Sequence, residues 1–199
     1  MKEILVVGED SLCCVLGEKL VATILPGWSL ISPSIDRKGI TNLIPAMPRF
    51  AKHAEFFRPV LCVADSDGRC AVELIREWRP SNAPETFMLR LAVNEAESWL
   101  LADRRAFSEA LGVPLTRLPS STDDLSDPKS VVLSLLAKSK VRLIRDEVVS
   151  RTDPNKRGSG YNLHLCNFVR QTWDAERARP ASESLGRAIS HIRRIGAGA

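Results

Sequence analysis

Ile4-Leu5-Val6-Val7-Gly8-Glu9-Asp10 runs through four consecutive apolar residues, without polar alternation, and stops at a glycine and two acids. A strand covered on both faces reads this way, because neither side needs water-facing residues. Working outward, residues 11–23 carry Leu12, Val15, Leu16 and Leu20 at helical spacing, and residues 28–31 read as a second strand. Residues 39–57 keep a helical rhythm through Ile40, Leu43, Ile44, Met47 and Phe50, which Pro45 and Pro48 divide or kink. A third buried strand over 59–64, a helix over 71–78 and a fourth strand over 86–93 complete the alternation. Strand and helix in turn predict an α/β fold with a mostly parallel sheet flanked by helices, each crossover being short enough for a right-handed βαβ unit.

The second half changes texture. Helical patterns cover 95–103, 105–111, 128–137, 161–173 and 184–195, with Tyr161, Leu165, Phe168, Val169 and Trp173 on one face, the signature of a core helix. Asp127-Pro128 reads as a cap followed by a first-turn proline. Asn94 is the expected cap of the helix after the fourth strand. Residues 119–127 and 151–160 are loops, the latter flexible and carrying three cations. No repeat or low-complexity tract appears. The simplest organisation is one domain over 1–199, with an α/β core at 1–104 and a mainly helical C-terminal extension at 105–199.

With 44% hydrophobic and 26% charged residues among 199, the composition argues for a globular core and against disorder. The longest apolar runs fall far short of the roughly 20 residues a membrane-spanning helix needs, and no secretory signal is visible. Five cysteines, an odd number without a C-x-x-C, with Cys13, Cys14 and Cys62 on apolar segments, read as reduced core residues of a cytoplasmic protein rather than a disulfide framework or zinc site. Residues 1–100 hold 11 Lys and Arg against 13 Asp and Glu; residues 101–199 hold 17 against 11. The acidic half is suited to a cation and the basic half to a polyanion, although on charge alone solvated helix faces are the better account of such a balance.

Three acidic pairs fall just past strand ends: Glu9 with Asp10, Asp65 with Asp67, and Glu95 with Glu97. In a parallel sheet these ends share one edge, where open α/β sheets bind ligands. Two unit charges about 4 Å apart repel by roughly 4 kcal/mol at an effective dielectric near 20, so converging carboxylates call for a cation, and hard oxygens select Mg²⁺ or Mn²⁺. Asp65 and Asp67 are two apart and able to share one ion, with Gly68 permitting the turn; the plainer reading makes Asp67 the cap of the next helix. Likewise, Glu95 and Glu97 suit a helix first turn without any chemistry. Walker, dinucleotide-binding and nucleophile-elbow motifs are missing. His53, His164 and His191 are scattered, and His164 reads as structural.

These residues together resemble the TOPRIM family, the Mg²⁺-binding α/β domain of topoisomerases, primases and OLD-type nucleases. The likeness rests on the Glu after the first strand and the D-x-D after a later one. More narrowly, Ala92-Val93-Asn94-Glu95-Ala96-Glu97-Ser98-Trp99-Leu100-Leu101-Ala102-Asp103 with Asp127-Pro128-Lys129 is similar to a bacterial TOPRIM-like group linked to phage defence and to partner ATPases. The resemblance implies phosphodiester hydrolysis of nucleic acid with Mg²⁺ or Mn²⁺. It makes Glu9 the acid/base or a metal ligand, Asp65 and Asp67 metal ligands, Glu97 or Asp103 the completion of the site, and Lys129 a stabiliser of transition-state charge. The chain departs from the family pattern in placing Gly8 before rather than after the glutamate.

Lys156 and Arg157 are candidate nucleic-acid phosphate contacts. A homo-oligomer is compatible with this reading, and any energy-dependent step requires a partner ATPase. Two other classes stay open: a non-catalytic binding or regulatory subunit, and a receiver-like phosphotransfer domain with Asp65 as acceptor, the latter lacking a Lys-Pro pair after a later strand.

Overall fold

The computed structural model describes residues 2–198. Its centre is a parallel sheet of β1 (Lys2–Gly8), β2 (Trp28–Leu30), β3 (Ile35–Asp36), β4 (Val60–Asp65) and β5 (Phe87–Ala92). The order is β2-β1-β4-β5, and the two-residue β3 pairs beside β2 on the same flank of β1, at Val7 and Gly8. The apolar strands are explained by what covers them. Ile4, Val6, Leu61, Val63, Met88 and Ala92 enter one core; Leu5, Val7, Val60, Cys62, Ala64, Phe87, Leu89 and Leu91 enter the other. Neighbouring residues on a strand face opposite ways, so two covered faces favour apolar side chains at successive positions, with Arg90 inside β5 as an exception.

One face is closed by α2 (Ile40–Leu43), α3 (Met47–Phe56) and α4 (Ala71–Trp78), with a 3₁₀ turn at Ile44–Ala46 dividing the helical stretch at the prolines, as expected. On the other lie α1 (Ser11–Ile24), α5 (Ala96–Ala102), α6 (Arg104–Leu111), α7 (Pro128–Leu136), α8 (Arg142–Val148), α9 (Tyr161–Gln171), α10 (Ala175–Ala178) and α11 (Glu183–Gly198). The C-terminal helices therefore complete one of the two layers, with α9 and α11 both packed on α1 and α11 also on β5. Among the described residues no helix is long and apolar enough to cross a membrane.

Several local expectations are met: Asp127 accepts the Ser130 N–H at 2.8 Å as the cap of α7, and Cys13, Cys14 and Cys62 are buried free thiols. Others are corrected. Asp67 is not the cap of α4; it sits in the left-handed region (φ 46°), and α4 begins after Cys70. Asn94 is not the cap of α5, because its side chain donates instead to the Leu125 carbonyl at 2.6 Å. The 151–160 segment is tied rather than loose. Val149 bridges Arg157, Ser150 N–H donates to the Lys156 carbonyl, and Gly158 N–H to that of Val148. A Cβ on Gly158 would stand 2.3 Å from the Glu147 carbonyl oxygen, so only glycine lets this strap close.

Candidate functional site at the carboxyl edge of the sheet

From β1 the chain moves outward to β2 and β3, then returns across β1 to β4 and β5 on the other side. The reversal opens a crevice between the carboxyl ends of β1 and β4, where ligands bind in such sheets. Glu9 leaves β1 there and Asp65 ends β4. The two are joined directly: Glu9 Oε2 accepts the Asp65 backbone N–H at 3.1 Å. Gly8 lets α1 start close against the end of β1, since a Cβ would lie 2.4 Å from Cys14 N in its first turn.

Asp65 Oδ1 accepts the Ala96 N–H at 2.8 Å and faces the Cys13 thiol at 3.6 Å. Its carboxyl is pushed up to about 8 by burial first, then by Glu97, Glu9 and Asp10, with Lys129 opposing. Glu9 is raised by burial, then by Asp67 and Asp10, against the lowering hydrogen bond from Asp65. Glu97 is 3% exposed and raised by burial, against the pull of Lys129 and a 2.6 Å hydrogen bond from Tyr161 Oη.

Lys129, on the first turn of α7, is the cation among these groups. Its Nζ reaches Glu95 Oε1 at 2.6 Å, while its backbone N–H donates to Glu95 Oε2 at 2.8 Å. Burial draws its pKa down, but Glu97 and Glu95 more than offset this and hold it above the usual lysine value. The counter-charge that the acidic edge demands is thus partly built into the chain. One ammonium does not suffice, since Asp65 and Glu97 both remain raised beside it.

The site opens into a cleft of about 510 Å³ lined by Asp67, Glu95, Lys129, Asn155, Lys156 and Arg157 among others. The strap therefore brings Lys156 and Arg157 to the rim of the acidic crevice. Lys156 is ion-paired with Asp153 at 3.4 Å, and the Arg157 guanidinium lies 5.5 Å from the centre of the Tyr161 ring. Tyr161, the chain's single tyrosine, links the basic rim to the buried Glu97. Its helical spacing announces only a core residue, and nothing in the sequence connects it to Glu97.

Asp103 is not brought to this site. It lies six residues beyond Glu97, about 9 Å along a helix, and is 1% exposed. There it takes a two-pronged ion pair from Arg177 (2.8 and 2.6 Å) and the N–H groups of Asp174 and Ala106. The expected ligand is instead a clamp between the start of α6 and α10. His164, read as structural, contacts Glu147 at 2.7 Å.

The donor set consists of hard oxygens. The raised carboxyls of Glu9, Asp65 and Glu97, together with Ser66 Oγ, buried without a hydrogen-bond partner between the two aspartates, fit a divalent cation in charge and donor chemistry. As placed, no three His, Cys, Asp or Glu side chains among the described residues form a ready metal-holding group. Comparison with protein-family models, curated proteins and solved structures finds no match.

Proposed function

We propose that the protein is a Mg²⁺- or Mn²⁺-dependent, TOPRIM-type phosphodiesterase acting on nucleic acid. The observation that carries this reading is the convergence of Glu9, Asp65 and Glu97 on the crevice of the sheet, with Lys129 beside Asp65 and Glu97, and with Lys156 and Arg157 on the rim of the adjoining cleft. Glu9 and Asp65 would hold the ion, with Glu97 and Asp67 adding charge. A bound ion supplies Lewis-acid polarisation of a phosphate oxygen. Lys129 offsets negative charge at the crevice, and Lys156 and Arg157 take the phosphates of the flanking strand. The chain lacks an ATP-binding motif, so an energy-dependent step in a defence setting belongs to a partner ATPase.

The test is calorimetric titration of Mn²⁺ and Mg²⁺ into the wild type and the Asp65→Ala, Asp67→Ala variant, followed by cleavage of plasmid, single-stranded DNA and RNA. Binding and cleavage lost together support the reading; absence of site-dependent metal binding overturns it. A second reading, a non-catalytic binding subunit, draws on the Lys129 to Glu95 pair, which already places a cation at the acidic edge. Metal-independent nucleic-acid binding without cleavage, retained in the same variant, would establish it.

A further inference from the structure

α11 carries Glu183, Arg187, His191 and Arg194 at spacings of four, four and three, so these side chains form one stripe while Leu185, Ala188, Ile189 and Ile192 bury the opposite one. The stripe borders an open cleft of about 1040 Å³ beside β5, also lined by Arg90, Glu176 and Arg179. This volume stands at the upper end of small-ligand sites.

The cleft is short of negative charge. Glu183 is taken by Arg187 and Glu176 by Arg193, which leaves Arg90, Arg179 and Arg194 without an ion-pair partner among the described residues. Arg90 is the most telling. It occupies a strand whose other side chains on the same face, Met88 and Ala92, are core residues. Its Nε is buried with no acceptor, as is His191 Nδ1. Burial and then the repulsion of Arg194 and Arg79 draw Arg90 down to about 10, still cationic at neutral pH. A buried donor without a partner and unpaired guanidinium groups around one cavity lack the same thing, an oxyanion.

We propose that the cleft between β5 and α11 is a second ligand site that takes phosphate groups, through Arg90, Arg179 and Arg194. A nucleic-acid backbone and a free nucleotide share this chemistry. The site does not draw on the acidic edge and needs no metal.

The test is binding in EDTA: calorimetry with ATP and pyrophosphate, and fluorescence anisotropy with a labelled single-stranded oligonucleotide. The variants are Arg179→Ala with Arg194→Ala, both exposed, and Arg90→Gln. The exposed pair keeps the test valid if Arg90→Gln fails to fold, and Lys52→Ala, which removes an exposed cation from α3 in the other layer, serves as the control that should bind like the wild type. At least a tenfold loss of affinity in the exposed pair, with an unchanged melting curve, supports the site. For the strand, its salt slope should also fall by about 1.4. ATP displacing the strand identifies a compact phosphate pocket, whereas strand binding that ATP does not contest identifies a backbone track; both place phosphate there. Binding that is absent, or equal in wild type and variants, overturns the proposal.

Discussion

Asp65 Oδ1 accepts the Ala96 backbone N–H at 2.8 Å, so the last residue of β4 caps the helix that begins after β5. The hydrogen bond ties two neighbouring strand ends together through a carboxyl that other acids crowd. Its pKa is raised from 3.8 to about 8, first by burial. Folding therefore favours the protonated form: this contribution is fully present below about pH 4, declines as pH rises and is lost above about pH 8. Asn keeps an acceptor oxygen without the charge. Asp65→Asn should thus melt higher than the wild type in EDTA, by a gap that opens above pH 4 and levels off above pH 8. At roughly 2–4 °C per kcal/mol for a chain of this size, several degrees are expected, and thermal melts across pH check it.

Lys129→Met should destabilise by about 1–3 kcal/mol, the cost of leaving charged hydrogen-bond partners unmatched. The effect should shrink in the Glu95→Gln background, because the two groups answer each other. Urea denaturation of both single variants and the double variant measures the coupling.

Tyr161→Phe keeps the buried ring and removes the 2.6 Å hydrogen bond to Glu97. A loss of about 1–3 kcal/mol follows for a buried acceptor left unmatched. Glu97→Gln in the same background should recover part of it, since the amide needs less from the missing hydroxyl. Chemical denaturation of the pair decides.

Asp103→Ala should cost about 2–4 kcal/mol, toward the lower side of breaking a buried ion pair, because Arg177 is half exposed. Since Asp103 lies away from the crevice, the Mn²⁺ titration of the folded variant should match the wild type. A changed titration would return Asp103 to the metal site.

The strands were legible because apolar runs bounded by glycine and acids have few alternatives once both faces are covered. β3 was not, being two residues held only by pairing with Val7 and Gly8. α8 escaped as well. Its sequence, Arg142 to Val148, is largely charged, and only Ile144 and Val148 are buried, too few to set a period. At the site, Glu9 and Asp65 could be placed because strand ends in a parallel sheet share an edge. What the acids touch could not: Tyr161 is 64 residues from Glu97, and Arg177 is 74 from Asp103. Asp103 shared a short motif with Glu97, and helical rise alone carries it to the other end of α5. Local spacing fixes which residues lie on one element; partners drawn from distant elements have no period to reveal them.

The layer formed with α9 and α11 bears on how the protein can be divided. A fragment stopping near residue 104 would contain all five strands yet strip the cover from α1 and from the outer strand β5. It would also lack Lys129 and Tyr161, and expose apolar surface of the kind that drives aggregation. The acidic half is therefore not a portable module that can be grafted or expressed alone.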